Sequence, residues 1–403
     1  MMKIGEFAKE HGISIDTVRF YVNEGLLIPI KDGYHYQFDQ QCASDLEQIL
    51  LLKNAGFSLR EIKVIILSQK VSAYVPEEYR EKCEDIFLRK QKEISENIKA
   101  LSQAQAFIEE QLNRLSQKPA APSGFGIDLA VLPYLACPHC GAKLILQSTM
   151  IEQGKIINGT FTCASCQYGL EIRDGILVAA LEGEVERNYS SFDHFITQAD
   201  PNLMVSILQN VKWMMRQQRQ TPCRVILEIG SGFGFYLREV CNLLMDDVLY
   251  IAVDYDINRH LFLKKALQNC KCSKKIVLIC CDIHEIPLAS HVVDQVIDFG
   301  MATDLAWISP EFALEAVDRY THEHTDCIFA NRMYEKFGFS SSIKPESRKY
   351  LEEKYILKKI EELGYRIVKK ERLDFLEQLQ PSVRYMNSRD EVYKLLCYMK
   401  KGL

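Results

Sequence analysis

The sequence predicts a multidomain chain: a small helical head with a β-hairpin, one long helix, a compact cysteine-paired module and an α/β domain. Three observations carry this. Short helical patterns punctuated by glycine fill about the first 70 residues. Two C-x2-C pairs stand near one another before the middle of the chain. The stretch "VILEIGSGFGFYL", Val225 to Leu237, then opens a run in which strand-like and helix-like segments alternate to the end.

The chain has 403 residues, which suits about two to three domains. Its 47% hydrophobic and 26% charged residues are ordinary for a globular protein. A net charge of −5 excludes a generally basic nucleic-acid binder, so any DNA contact must come from a local surface. No apolar run approaches a membrane span, and "MMKIGEFAKEHGIS" lacks the apolar core of a signal peptide. Fourteen cysteines spread over so long a chain point to a reducing cytoplasmic setting. The expected boundaries are a head at 1–75, a long helix at 76–117, a linker at 118–132 that starts "KPAAPSGFG", a cysteine module at 133–181 and an α/β domain at 188–403.

In the head, "IGEFAKEHGISIDTVRFYVNEGLL" places apolar residues at Ile4, Phe7, Ala8, Ile15, Val18, Phe20 and Tyr21. This reads as a helix, a turn at Gly12 and a second helix capped by Ser14. Two helices at this spacing suit a helix-turn-helix whose second helix offers Asp16, Thr17 and Arg19 to a major groove. Next, "EGLLIPIKDGYHYQF" has a turn at Asp32-Gly33 between extended residues, a hairpin able to lie along DNA as a wing. "QQCASDLEQILLLKNAGFSLREIKVIIL" adds a helix, a stop at Gly56, a cap at Ser58 and another helix. The motifs "IGEFAKEHGIS", "TVRFYVNEGLL", "DGYHYQF" and "AGFSLREIKVII", in this order, resemble the MerR family of bacterial regulators. The resemblance implies a winged helix-turn-helix that contacts double-stranded promoter DNA through Ser14, Asp16, Thr17, Arg19, Tyr21, Lys31, Tyr34, His35 and Tyr36. The family's wing usually carries Arg where His35 stands, and a mostly neutral His contacts phosphate less strongly. Residues 1–75 hold eight Lys/Arg against nine Asp/Glu, which argues against tight non-specific binding.

Residues 84 to 115 fit a heptad, with Phe87, Ile94, Leu101, Ile108 and Leu115 at d and a mixed a series of Glu84, Gln91, Ile98, Gln105 and Leu112. A coiled-coil partner helix or packing on the same chain would both satisfy this pattern. The MerR resemblance implies the first, a homodimer joined through this helix.

The cysteine module reads "LACPHCGAKL…FTCASCQYGL", with Cys137, Cys140, Cys163 and Cys166 as two C-x2-C pairs 22 residues apart. Four thiolates favour a tetrahedral Zn²⁺ with no open position, a structural site. This segment and its tail "YGLEIRDGILV" resemble the small zinc ribbons that activate methyltransferases by binding them. Similar ribbons precede the catalytic domain of some rRNA guanine methyltransferases. The ribbon could brace the next domain or help to recognise a substrate.

In the α/β domain Val225 to Ile229 reads as a buried strand with Glu228 at its end, followed by Gly230, Gly232 and Gly234 and a helix from about Phe235. A glycine turn alone suits many nucleotides. "YIAVDYD" gives a second strand that ends at Asp254, 24 residues after Gly230, where an acid can accept ribose hydroxyls. "IVLICCDIHEIPL" gives a third strand that ends at Asp282, and "VVDQVIDFG" a fourth. Together these residues resemble the class I S-adenosylmethionine-dependent methyltransferases, which have an α/β Rossmann-like fold. By position, the resemblance implies Glu228 and the glycines near the methionine part, Asp254 at ribose, Tyr255 beside adenine, and Asp282 and Ile283 at the adenine edge. "GYRIVKKERL" and "EVYKLLCYMKK" look like that fold's final antiparallel pair.

No catalytic residue is assigned. "DFGMATDLAWI" after the fourth strand lacks the Asn/Asp-Pro-Pro-Tyr and Pro-Cys motifs of two nucleic-acid methyltransferase classes. Asp298, Asp304, His322 and His324 are ordinary polar residues as readily as bases. Cys280 and Cys281 read as small apolar residues of the third strand. Two functions compete. One is a transcription regulator whose effector region is the ribbon plus an S-adenosylmethionine-binding domain. The other is an active methyltransferase, for a small molecule or RNA, that also regulates its own expression.

Overall fold

The computed structural model describes residues 1–70, 77–116, 125–179, 192–198, 201–218, 223–270, 272–339, 341–374 and 390–402. It divides into two units, Met1–Lys118 and Pro119–Leu403. None of the described helices is long and apolar enough to cross a membrane.

In the first unit a strand, Met2–Lys3 (β1), leads into helix Ile4–Glu10 (α1). Helix Ile15–Asn23 (α2) follows, with the Ser14 hydroxyl accepting from the Thr17 amide at 3.0 Å. Strands Ile30–Asp32 (β2) and His35–Phe38 (β3) form the wing. Their turn lies one residue later than the sequence suggests, at Gly33-Tyr34, because Asp32 still pairs with His35 before the chain reverses. β1 pairs with the other edge of β3 and makes a three-stranded sheet. Two residues are too few for an alternation pattern, so no sequence signal marks β1.

Helices Gln40–Asn54 (α3) and Leu59–Lys70 (α4) complete the head. Ser58 and Glu61 cap α4 reciprocally, the Ser58 amide donating to Glu61 Oε2 at 2.8 Å and the Glu61 amide to Ser58 Oγ at 3.3 Å. Phe7, Val18, Leu26, Phe38, Leu46 and Ile49 are fully buried in one core. Phe20 is instead 44% exposed, since Val18 and Tyr21 already occupy the inward face of α2. Helix Glu77–Ser116 (α5) runs for 40 residues, with Ile86 buried against the head. The heptad d residues Phe87, Ile94, Leu101, Ile108 and Leu115 are all exposed on this single chain.

Residues 118–124 of the expected linker lie outside the described residues. Its later part is not a linker. Ile127–Asp128 (β4) is a strand and Leu129–Tyr134 a 3-10 turn, because Ile127 and Val131 insert fully into the core. Strands Leu144–Glu152 (β5), Lys155–Cys163 (β6), Gly169–Arg173 (β7) and Ile176–Ala179 (β8) form the cysteine module. Helices Phe192–Gln198 (α6) and Pro201–Gln218 (α7) follow. The α/β part then runs Val225–Ile229 (β9), Phe235–Val240 (α8), Leu249–Asp254 (β10), Ile257–Asn269 (α9), Lys275–Cys280 (β11), Val293–Phe299 (β12) and Met301–Ile308 (α10). Strands Thr321–Lys336 (β13), Tyr365–Asp374 (β14) and Glu391–Lys401 (β15) end it.

Across the sheet these strands lie in the order β11-β10-β9-β12-β13-β15-β14. The first five are parallel, and β15 is antiparallel to both its neighbours. This is the doubly wound α/β arrangement with a final antiparallel pair that the sequence predicts. The chain order reverses between β9 and β12, and a ligand cleft in such a sheet opens there, beyond the carboxyl ends of the strands.

β8 pairs in parallel with β11, matching Ile176 with Leu278 and Leu177 with Ile279. The cysteine module therefore continues the α/β sheet, and twelve strands make one sheet. Leu135, Cys137, Phe161 and Leu170 of the module share a core with Leu227, Ile251 and Val277 of the α/β strands. Module and α/β domain should unfold together. Leu177 is fully buried at the joint, so Leu177→Ala should cost about 2–5 kcal/mol. It should lower one common denaturation midpoint, read by Trp213 and Trp307 fluorescence and by thiol accessibility of the module. Two separate midpoints would contradict a shared sheet.

Candidate functional site

Three groups of predicted site residues can be placed. On the head, Ser14, Asp16 and Arg19 of the α2 end are exposed, as are Lys31, Tyr34, His35 and Tyr36 of the wing. Arg19 Nη1 lies 3.3 Å from Asp16 Oδ1, an exposed pair that a phosphate can displace at little cost. The Thr17 hydroxyl is half-buried and bonded to Ser14 Oγ at 2.8 Å, which holds the first turn of α2. Tyr21 is corrected: it is 2% exposed and belongs to the core of the head, so it does not face a groove. Ile15, Phe20, Ile28 and Ile30 add exposed apolar surface to α2 and the wing.

The second group meets at the sheet reversal. Ile229, Gly230, Val253, Asp254, Tyr255, Cys281, Asp282, Ile283 and His284 line a cavity of about 210 Å³, closed on its other side by Met301, Leu305, Ile308, Ser309 and Glu311. Asp254 ends β10 and its carboxylate is buried. Oδ2 accepts from the Gly232 amide at 2.8 Å and from Arg259 Nη1 at 3.3 Å, while Oδ1 accepts from the Asp256 amide at 2.9 Å. One carboxylate thus pins the glycine turn to the start of α9. The turn needs its glycines. Gly230 and Gly234 both have positive φ, and a Cβ on Gly230 would lie 3.0 Å from the Met301 side chain, while one on Gly234 would collide with Leu263.

Asp282 Oδ1 accepts from the His284 amide at 3.0 Å and caps the 3-10 turn Ile283–Glu285, which presents Asp282, Ile283 and His284 to the cavity. Tyr255 lines the cavity beneath Arg259, whose guanidinium sits 5.4 Å from the ring centre. Glu228 is different. It is 1% exposed on β9 and accepts from the Tyr250 hydroxyl at 3.0 Å, below the turn and outside the cavity lining. Burial raises its carboxyl to about 8, with the Asp254 charge adding to the rise, so Glu228 is a protonated acid at neutral pH.

Residues that the sequence did not signal complete this region. Arg259 bridges toward both Asp254 and Asp256, at 3.3 and 3.8 Å. Phe192 and Phe195 of α6 pack around Phe233 of the glycine turn, and Phe262 stacks on Phe192 at 4.1 Å. Only the number of phenylalanines near the turn could have hinted at this. Of the four polar residues considered as bases, Asp298 is fully buried and caps α10, accepting from the Met301 amide at 2.9 Å; burial raises it to about 7. Asp304 lies on α10 and is likewise raised by burial. His322 and His324 sit at the start of β13, the end of a parallel strand opposite the cleft.

The third group is the cysteine quartet, whose ligand atoms all lie within 4.8 Å of one another. Cys137 and Cys166 sulfurs are 3.5 Å apart, Cys140 and Cys163 3.4 Å, and Cys140 and Cys166 3.7 Å. Four sulfurs about 2.3 Å from one ion span edges of about 3.8 Å, so the quartet fits a tetrahedral metal. Amides of Cys166 and Ser165 donate to Cys163 Sγ, which pulls its thiol down to about 6 and favours the thiolate that a metal requires. Cys280 ends β11, whereas Cys281, expected in the same strand, follows it and lines the cavity; both are buried and lie outside the quartet.

Comparison with known proteins bears on each unit separately. The family described as MerR HTH family regulatory protein matches residues 2–69. The HTH-type transcriptional regulator ZntR homolog of Haemophilus influenzae is 34% identical over 79 residues, 19% of this chain and 58% of that protein. Nodulation protein NolA of Bradyrhizobium elkanii is 36% identical over 63 residues, 15% of this chain and 29% of that protein. The chain thus spans less than two thirds of the length of these relatives. Among solved structures, the MccD protein is similar over 48% of this chain and 96% of its own, at 11% identity and a TM-score of 0.39. A SAM dependent methyltransferase from Aquifex aeolicus is similar over 51% and 97%, at 14% identity and a TM-score of 0.36. The N-terminal unit carries a MerR-type helix-turn-helix, a DNA-binding module. The strand order described above gives the second unit a doubly wound, Rossmann-like α/β fold.

The buried Glu228 has a consequence for pH. In the unfolded chain it loses its proton near 4.5, while in the folded protein it keeps it to about 8. The folded state therefore binds the extra proton, and this residue's contribution to stability falls as pH rises from about 4.5 to about 8. Glu228→Gln should flatten that decline, so melting temperatures of variant and parent should diverge as pH rises from 5 to 8. Parallel curves would mean that Glu228 is ionised in place.

Proposed function

We propose that this chain is a dimeric, cytoplasmic transcription regulator that reads promoter DNA with its MerR-type head and holds S-adenosylmethionine in the cleft of its α/β domain. The observation that carries the cofactor half is the meeting of Gly230, Asp254, Tyr255, Asp282 and Ile283 on one cavity at the sheet reversal. Remaining lone pairs of the Asp254 carboxylate would accept the ribose hydroxyls, Tyr255 and Ile283 would sandwich the base, and Asp282 would accept from the adenine amino group. Gly232 and Gly234 keep the turn open for the methionine part, and Glu228 supports that turn from beneath as a neutral acid. The bound group would supply an electrophilic methyl. Phe192 and Phe195 would cover that end of the cleft and exclude water.

The head uses Ser14, Asp16, Thr17 and Arg19 for the groove and Lys31, Tyr34, His35 and Tyr36 for the backbone. The exposed d stripe of α5 supports pairing with a second copy, which sets two heads on a palindromic site. Cofactor occupancy would bias the distance or twist between those heads. The cysteine quartet holds Zn²⁺ as a structural ion.

A second reading, methyl transfer to a small molecule or an RNA, keeps one favourable observation: Asp298, raised to about 7 by burial, stands beside the cleft wall through Met301. Turnover of labelled cofactor with cell extracts would support it, and binding without any turnover would leave the regulator.

Three outcomes are expected. Calorimetry should show S-adenosylmethionine binding that Asp254→Ala abolishes, and the cofactor should change promoter DNA affinity in a mobility-shift assay. Equal affinity with and without cofactor would remove the sensing role. Metal analysis should return about one zinc per chain, lost when Cys137 and Cys166 are both changed to Ser. Metal-free protein with four titratable module thiols would refute the zinc site.

A further inference from the structure

The Asp282–His284 wall of the cleft is gripped from behind by the cysteine module. Glu285, at the end of the same 3-10 turn, accepts from the Tyr168 hydroxyl through Oε2 at 2.6 Å and meets His139 Nε2 through Oε1 at 3.1 Å. The His139 and Tyr168 rings pack at 4.3 Å. Further along, the Ala136 amide donates to the Pro287 carbonyl at 3.2 Å and the Ala289 amide to the Tyr134 carbonyl at 2.8 Å. Arg319 ties the two sides together, donating to the Pro138 carbonyl at 3.0 Å and to the His284 carbonyl at 3.2 Å.

The origin of these contacts decides their meaning. Pro138 and His139 lie between Cys137 and Cys140, inside the first ligand loop. Tyr168 follows Cys166 by two residues, and its carbonyl accepts from the Cys163 amide at 2.8 Å. Glu285 therefore takes one partner from each ligand loop. Backbone pairing of Leu144 with Cys163 and the Ala164 amide donating to the Lys143 carbonyl at 3.2 Å join the two loops, and an ion shared by four sulfurs would tie their tips together as well.

We infer that the metal-bearing module builds the adenine side of the cleft, with Tyr168 and Glu285 as positioning residues that transmit the geometry of the ligand loops to Asp282, Ile283 and His284. Metal-loaded module and ordered wall form one mechanical unit. Loss of the ion releases the tips of the two loops from each other and loosens the two-point hold on Glu285. The adenine-binding consequence rests on the reading of the cleft as an S-adenosylmethionine site, whereas the mechanical link does not.

The test uses the full chain, metal-loaded and chelator-stripped, followed by hydrogen–deuterium exchange. Amides of residues 283–289 should lose protection on stripping while those of β13 and β15 keep theirs. Unchanged exchange at 283–289 overturns the inference, whether or not the cleft binds a nucleoside. Tyr168→Phe supplies the second arm, because it leaves all four thiols in place. Metal content and melting temperature should match the parent, and the affinity for S-adenosylhomocysteine should fall about tenfold. Parent-like affinity in this variant would overturn the positioning role. Absence of binding in the parent itself would instead reject the cofactor reading, with the exchange result still deciding the link.

Discussion

The Asp254 carboxylate is the point at which the cleft is tied together. It lies at the carboxyl end of β10, beside the reversal of strand order, and it is buried. A buried charge is tolerable only when it is hydrogen-bonded and paired, and here two amides and the Arg259 guanidinium meet it. Those partners come from the glycine turn after β9 and from the segment that starts α9. Satisfying one anion therefore fixes two loops at once, and the cavity between Gly230 and Tyr255 follows. Glu228, one strand away, has the Tyr250 hydroxyl as its partner, and burial raises its carboxyl to about 8.

The second organising constraint is the parallel joint between β8 and β11. An edge strand with open amides and carbonyls invites pairing with another chain. Here the cysteine module covers that edge with a strand of its own chain and extends one sheet across both folds. The small module shares its core with its neighbour, with Cys137, Phe161 and Leu170 in one cluster with residues of the α/β strands. The same joint brings the ligand loops against the segment after β11, which carries the cleft wall. Stability of the module and shape of the cleft thus share one cause.

Much of this was legible beforehand. The head's helices, caps and hairpin follow from local signals, because Gly12, Ser14, Ser58 and the Asp-Gly pair act through the backbone within a few residues. The metal quartet follows from spacing, since two C-x2-C loops need little besides proximity. The strand ends at Asp254 and near Asp282 follow from the alternation of buried strands and helices. The errors have the opposite character. Tyr21 is buried rather than facing a groove, because one residue's rotation on a short helix depends on what packs against it. The later part of the linker expected at 118–132 is structured because Ile127 and Val131 find a core that lies far along the chain.

The sequence by itself determined the two folds, the four paired cysteines and the acids at the strand ends, since each is set by local backbone chemistry or short spacing. Only the tertiary structure decided that the cysteine module and the α/β domain are one sheet, and that Glu285 spans both ligand loops. Those pairings join residues 102 to 146 positions apart in chain order. Long-range contacts of this kind depend on which edges and faces remain unsatisfied after local structure has formed. No motif encodes that remainder, and the packed chain alone resolves it.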